Sequence, residues 1–258
     1  MRIDLAQRSA IVTGAGGGIG RAVCLRLAEC GARVLAVDLS EEAGRETAGL
    51  GAAIGADIRF HRADVSDEAS VQAYVEAAVS AFGGVDVFMN NAGWQGRIAP
   101  LSDYDVETFD RVMAINVRGV FLGLKHVLPL MVRKGAGAVV NTASFASHVG
   151  ARNLGPYAAS KHAVLGLTKT AALEVARSGV RVNAVCPGPV ATPMIDEIEA
   201  GQAGGDAGEL RRKRTASIPD GRYATPEEVA DLMAYLASDR AGHITGQGIH
   251  INGGSHAI

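Results

Sequence analysis

The chain has 258 residues, a length that suits one large domain or two small ones. Hydrophobic residues at 48% and charged residues at 20% describe a folded core rather than a disordered chain. Lys plus Arg total 25 against 27 Asp plus Glu, a net charge of -2, and aromatics are 5%; with neither a basic excess nor stacking platforms, nucleic acid is excluded as a partner.

Short apolar runs alternate with longer amphipathic ones. A first strand is expected over 9–14 (SAIVTG), ending in a glycine turn. Val23, Leu27 and Cys30 fall near helical spacing within 19–31, and Gly31 suits the end of that helix. A second strand covers 33–38, a short helix 41–50 and a third strand 58–65. The next helix is expected over 67–82, with Ser66 as its cap. A fourth strand follows over 85–93, a long helix over 105–134 and a fifth strand over 137–144. A helix over 157–178 and a sixth strand over 180–188 come next. Thr225 caps a helix over 226–238, with Pro226 in the first turn and Glu227 and Glu228 at its positive end. The last strand is 248–253.

Strands of continuous Val, Ile and Ala character suit a sheet covered on both faces. Strand–helix alternation with short links makes that sheet parallel, with right-handed crossovers. The expectation is a single Rossmann-type α/β domain over 1–258. It is doubly wound, with a mainly parallel seven-stranded sheet and helices on both faces. One stretch breaks the rhythm: 190–220 carries four glycines within 201–208 and then a basic run over 211–214. It reads either as a solvated excursion or as a mobile substrate lid, and its place after the sixth strand favours the lid.

Cys24, Cys30 and Cys186 have no metal spacing and read as buried hydrophobes in a reducing compartment. The segment MRIDLAQRSAIVTG lacks a secretory apolar core, and no apolar stretch approaches the roughly 20 residues of a membrane helix. A cytoplasmic location without a membrane partner is expected.

The turn after the first strand reads Thr13-Gly14-Ala15-Gly16-Gly17-Gly18-Ile19-Gly20. Glycines let backbone approach a pyrophosphate, and the following helix start offers free N–H groups. The spacing is G-x-x-x-G-x-G through Gly14, Gly18 and Gly20, not G-x-G-x-x-G; a plain structural turn is the other reading. Asp38 ends the second strand about 20 residues later, placed to accept from the ribose hydroxyls of NAD and to repel a 2′-phosphate. Leu39 follows it and Gly17 stands in the turn, so no cation there favours NADP. Asp38 as a helix cap is the plainer alternative, though Ser40 is free for that task.

Tyr157 and Lys161 are four residues apart on an expected helix and share a face. A tyrosine titrates near 10, too high for a base at neutral pH, and a neighbouring ammonium favours the phenolate. Such a pair is weak alone. Ser144, ending the fifth strand, strengthens it, because both groups then project from one edge of the sheet. No G-x-S-x-G surrounds Ser144, which opposes a hydrolase.

In this order, TGAGGGIG (13–20), Asp38, Asp64-Val65, NNAG (90–93), Asn116, Ser144, Tyr157-x-x-x-Lys161, Asn183 and Pro187-Gly188-x-x-x-Thr192 resemble the short-chain dehydrogenase/reductase family over nearly the whole chain. The resemblance implies Tyr157 as acid/base and Lys161 as the group that lowers its pKa and binds the nicotinamide ribose. It implies that Ser144 polarises the substrate oxygen and that Asn116 holds a relay water. Asp64 and Val65 would meet adenine. Asn91, Ala92 and Gly93 would line the cofactor with Gly14, Gly18, Ile19, Gly20 and Leu39. Pro187, Gly188, Val190 and Thr192 would hold the nicotinamide. Asn91 and Asn183 also read as structural, and for Asn183 that reading is favoured. No metal is implied. The family usually forms homotetramers, which sets that expectation here.

Walls for a small-molecule substrate are expected from Trp94, Gln95, Phe145, His148, Asn153, Leu154, Met194 and Ile195. His148 reads equally as a surface residue. NNAGWQGR, NTASFAS and RYATPEE look similar to bacterial NAD-dependent alicyclic alcohol and cyclic ketone dehydrogenases. The implied reaction is hydride transfer between NAD and a small secondary alcohol or ketone. The competing reading is an NADPH-dependent 3-oxoacyl-carrier-protein reductase, to which HITGQGIHINGG (243–254) and EVARSGVRVN (174–183) are similar.

Overall fold

Every residue of the first and fourth strands is buried, the condition for a sheet shielded on both faces. The computed structural model describes residues 3–255 and 257. Seven strands form the sheet: β1 (Ser9–Thr13), β2 (Arg33–Asp38), β3 (Ile58–Arg62), β4 (Val87–Asn90), β5 (Gly137–Thr142), β6 (Val180–Pro187) and β7 (Gly248–Ile251). All neighbours are parallel, in the order β3-β2-β1-β4-β5-β6-β7. The chain therefore leaves β1 toward one edge and returns to β4 on its other side. Ligands bind such sheets outside the carboxyl ends of the strands at this switch point.

Nine helices are described: α1 (Gly18–Glu29), α2 (Glu41–Ala53), α3 (Glu68–Phe82), α4 (Val106–Met113), α5 (Gly119–Lys134), α6 (Gly155–Val175), α7 (Pro193–Gln202), α8 (Ala207–Ser217) and α9 (Pro226–Ala237). Val23 and Leu27 of α1 meet Val229 and Met233 of α9 on one face. Val71 and Tyr74 of α3, Val120 and Val127 of α5, and Val164 of α6 fill the other. Each such side chain removes roughly 1.5–3 kcal/mol worth of apolar surface from water.

Several boundaries differ from expectation. β4 and β5 stop at Asn90 and Thr142, because the residues beyond leave the ladder to wall the crevice, and β3 stops at Arg62, beyond which Asp64 turns to hold Ser66. Asp67, not Ser66, caps α3, accepting from the Ser70 N–H at 2.8 Å. Ser66 is diverted to Asp64 Oδ1, to which its hydroxyl donates at 2.7 Å. The helix expected over 157–178 begins two residues earlier at Gly155, with Pro156 in its first turn, and ends at Val175. The stretch 190–220 folds into α7 and α8 rather than an open excursion.

The helix expected over 105–134 is capped by Asp105 and interrupted by a π turn, Ala114–Arg118. From Val106 to Lys134 it is long and apolar enough to cross a membrane by length and composition, which the reading of separate apolar runs missed. Its apolar face instead packs on the sheet through Val120, Val127 and Met131.

Candidate active site

The site forms where β1, β4, β5 and β6 deliver their carboxyl ends. β1 turns at Gly14, whose φ of 67 lies in the left-handed region. A Cβ there would lie 2.8 Å from Ala92 Cα, so only glycine lets the two loops touch. α1 then starts from Gly17, which offers no side-chain cap. Its first N–H groups are therefore left for a ligand at the positive end of the helix.

Asp38 closes the turn from the side. Its Oδ2 accepts from the Gly16 N–H at 2.8 Å and its Oδ1 from the Ser40 N–H at 2.9 Å. Ser40, not Asp38, caps α2. A carboxylate has about four acceptor positions, so two remain for a ligand. Beside it, Arg62 is in register with Asp38 and donates from Nε to the Leu39 carbonyl at 3.2 Å. The search for a cation at positions 17 and 39 missed Arg62 because it sits on the adjacent strand.

Asn91 stitches three strand ends. Its Nδ2 donates to the Thr13 carbonyl at 3.0 Å, and its Oδ1 accepts from Thr142 Oγ1 at 3.0 Å. Asn183 ties β6 to the turn before β7, donating to the Ile244 carbonyl at 2.8 Å and accepting from the Gln247 N–H at 3.1 Å.

Tyr157 and Lys161 rise from the first turns of α6, and Ser144 stands at the exit of β5. Ser144 donates toward the Tyr157 oxygen, which favours the phenolate. Burial acts the other way and is larger, so the Tyr157 hydroxyl lies above its ordinary value. Lys161 Nζ sits 5.6 Å from the Tyr157 ring centre and donates to the Thr142 carbonyl at 2.7 Å. Burial pulls this ammonium down to about 8. In this structure the hydrogen bond that restrains the tyrosine comes from Ser144 rather than Lys161.

Because the folded state holds the Lys161 proton less tightly than the unfolded chain, the penalty is complete below pH 8 and relieved as pH rises toward 10.5. Lys161→Met should therefore gain on wild type by about 1–3 kcal/mol more at pH 7 than at pH 10. Denaturant midpoints of both proteins at the two pH values measure this. A gap independent of pH would refute the assignment.

Asn116 lies in the π turn and is fully buried. Its Oδ1 accepts from the Trp94 N–H at 2.8 Å, while Nδ2 donates to the Trp94 carbonyl and to Ser160 Oγ, each at 2.9 Å. A Cβ on Gly93 would lie 3.4 Å from both Asn116 Oδ1 and Lys161 Nζ, so this glycine is bracketed by the two.

These elements enclose a cavity of about 570 Å³. Gly14, Gly18, Ile19, Gly20, Asp38, Asn91, Ala92, Gly93, Pro187, Gly188, Val190 and Thr192 line it, together with Ser144, Tyr157 and Lys161. Asn116, Leu39, Asp64 and Val65 stand outside its wall. Leu39 is exposed, Asp64 is held by Ser66, and Val65 packs against Gly119.

At the substrate end, Phe145, Leu154, Met194 and Ile195 line the wall as expected. Trp94 does not: the Arg111 guanidinium lies 4.9 Å over its ring. His148 is exposed, its ring 4.5 Å from that of His250. Gln95 is buried but donates to Glu197 of α7 at 2.6 Å. Asn153 also lies off the wall, its carbonyl accepting from the Ala99 N–H at 3.0 Å. Sequence reasoning missed Ile198 of α7 and Arg214 of α8. The available signal was Asp206 followed three residues later by Glu209, a helix-start pattern; Asp206 does cap α8, accepting from the Glu209 N–H at 3.0 Å.

α7 carries a buried carboxylate, Glu199, set against Arg211 and Arg214 of α8. Its Oε1 accepts from the Tyr223 hydroxyl, which burial and this carboxylate push up to about 12. Arg211 Nη1 approaches Glu199 at 3.4 Å and Asp196 at 2.6 Å.

Residues 14–256 match the family model described as Enoyl-(Acyl carrier protein) reductase. The chain is 41% identical to levodione reductase of Leifsonia aquatica over 97% of this chain and 95% of that one. The crystal structure of levodione reductase superposes with a TM-score of 0.95, at 40% identity and 98% coverage of each chain. Cis-4-hydroxycyclohexanecarboxylate dehydrogenase of Sinomonas cyclohexanicum is 42% identical over 98% of both chains. The crystal structure of NAD+-bound xylitol dehydrogenase has a TM-score of 0.93 at 36% identity, covering 96% of this chain and 99% of that one.

Proposed function

Because the chain belongs to the short-chain dehydrogenase/reductase family, we propose that it transfers a hydride between NAD and a small secondary alcohol or ketone, alicyclic in character, with Tyr157 as acid/base. The observation that carries this reading is the meeting of Ser144, Tyr157 and Lys161 in one cavity with the glycine turn and Asp38. The dehydrogenase relatives support it over the 3-oxoacyl-carrier-protein reductase considered from the sequence.

The residues fit a dinucleotide. The glycine turn leaves backbone where side chains would clash, α1 presents uncapped N–H groups, and Asp38 retains acceptor positions for ribose hydroxyls. When bound, the nicotinamide takes up or releases the hydride. Tyr157 removes the carbinol proton during oxidation and returns it during reduction. Ser144 donates to the substrate oxygen and steadies the charge that develops there. Lys161 keeps a positive charge beside them below about pH 8. Asn116 is a positioning residue, fixing the Trp94 backbone against Ser160 of α6. Gly93, Val190 and Thr192, on the cavity wall, would hold the nicotinamide, and Leu39, Asp64 and Val65, which stand outside that wall, would flank the adenine.

Asp38 sets the preference for NAD over NADP, since its charge opposes a 2′-phosphate. Initial rates with each cofactor over a panel of cyclic and open-chain secondary alcohols test the whole reading. Wild type should turn over cyclic alcohols with NAD. Asp38→Ala should lower the NAD-to-NADP ratio of kcat/KM by about tenfold or more. A wild-type preference for NADP, or inactivity on every alcohol, would overturn it.

The assembly that goes with this function is a homotetramer built on the exposed apolar residues Phe109 and Phe121 of α4 and α5 and Leu173 of α6. Three buried, unbridged cysteines accord with a cytoplasmic location.

A further inference from the structure

The substrate end of the cavity is apolar, walled by Phe145, Leu154, Met194, Ile195 and Ile198. One charge interrupts it. Asp38 and Lys161 belong to the cofactor turn and the catalytic group, and Arg214 is the remaining charged side chain on the wall among the described residues.

Arg214 has no carboxylate to itself: its ion pair with buried Glu199 is shared with Arg211. Its Nη2 donates to the neutral amide oxygen of Gln202. Its Nη1 stands 3.6 Å from Glu199, beyond hydrogen-bond reach, and that carboxylate is already shared with Arg211 and the Tyr223 hydroxyl. Arg211, by contrast, has Asp196 at 2.6 Å. Nη1 of Arg214 is buried without a hydrogen-bond acceptor among the described residues. A guanidinium carries five N–H donors, and leaving one buried and unpaired is costly. Arg214 lines the cavity, so an acceptor delivered there would offer its guanidinium the hydrogen-bond partner that Glu199, at 3.6 Å, does not supply.

We propose that Arg214 is a specificity-determining residue that binds a carboxylate carried by the substrate on the side remote from its reacting carbinol. This rests on the alcohol dehydrogenase reading above and narrows it. The preferred substrate is an apolar ring with a hydroxyl at one end, for Ser144 and Tyr157, and an oxyanion at the other. The planar fork of arginine matches a carboxylate with two parallel hydrogen bonds, which a point charge cannot reproduce. Because Arg214 stands on α8, the bound anion would also hold α7 and α8 over the cavity.

The test compares cyclohexanol with 4-hydroxycyclohexanecarboxylate as substrates, using wild type, Arg214→Met and Arg212→Met. Arg212 is exposed on the same helix and controls for the loss of one charge. Wild type and Arg212→Met should prefer the carboxylated alcohol in kcat/KM by about 10- to 100-fold, and Arg214→Met should bring that ratio to near one. Equal loss on both substrates in Arg214→Met would mean a structural role and overturn the proposal, as would a wild type without the preference. Calorimetry with cyclohexanecarboxylate and NAD reads the same contact without turnover. Binding to wild type at least tenfold tighter than to Arg214→Met supports the clamp, and equal binding refutes it. Inactivity on both alcohols with this binding difference intact would sink the reaction assigned above and leave the clamp standing.

Discussion

Tyr157→Phe should lower kcat for NAD-dependent alcohol oxidation by about 10²- to 10⁴-fold while NAD still binds. The substitution removes one oxygen and keeps the ring that lies 5.6 Å from Lys161 Nζ. Packing around α6 is therefore preserved, and the loss reports proton transfer alone. The Ser144 hydroxyl beside the Tyr157 oxygen favours its phenolate. Among the described residues, no other group at the substrate end of the wall offers a comparable base: Lys161 donates to the Thr142 carbonyl, and His148 stands outside the wall. Steady-state rates with saturating NAD, together with NAD titration by calorimetry, measure both halves. Retention of more than a tenth of wild-type kcat would mean that Ser144 or solvent moves the proton.

Gly20→Ala should be the most damaging single-methyl change in the site. A Cβ at that position would fall 1.9 Å from the Gly14 carbonyl oxygen and 2.8 Å from Asn91 Nδ2. The clash is with backbone, so no rotamer relieves it, and the turn must open. Opening it separates the Gly14 carbonyl from Asn91, the residue that ties β1 to β5. Strain of this kind costs roughly 1–3 kcal/mol or more in folding. Weakening of NAD binding by about 100-fold is expected on the same scale. Gly17→Ala is the matched control, because Gly17 has extended backbone and open space where its Cβ would go. Its thermal midpoint should stay close to wild type. A Gly20→Ala variant as mild as Gly17→Ala would show that the turn tolerates side chains throughout and that the cradle is misassigned.

The sheet was legible because burial on both faces leaves its mark on every strand residue: SAIVT and VFMN carry no surface alternation. Strand ends were less so, since Ala143 and Ala92 are as small and apolar as the residues inside the ladder. The choice between Ser66 and Asp67 as a cap turned on Asp64, whose carboxylate takes the Ser66 hydroxyl. Nothing local announces that competition. Trp94 looked like a pocket wall by its place after Gly93, but Arg111 of α4 covers its ring, a contact set by tertiary packing. The residues of α7 and α8 were hidden differently. Their glycines suggested a solvated excursion or a lid without helices of its own, and neither reading singled out Arg214 from the basic run 211–214. The pairing of Ser144, Tyr157 and Lys161 was visible because one sits at a strand end and the others one helical turn apart.

The π turn at Ala114–Arg118 has a geometric consequence for the whole rod it interrupts. Val112, Asn116, Val120 and Leu124 are buried at intervals of four residues. On an ideal α-helix each such step overshoots a full turn by about 40°, so three steps would swing the stripe by about 120° around the axis. A π turn winds less per residue and absorbs much of that drift. The stripe stays in phase with the sheet, and Asn116 keeps its bearing on Trp94 and Ser160. The irregularity thus acts as an angular correction that lets one continuous helix carry a polar anchor in the middle of an apolar seam.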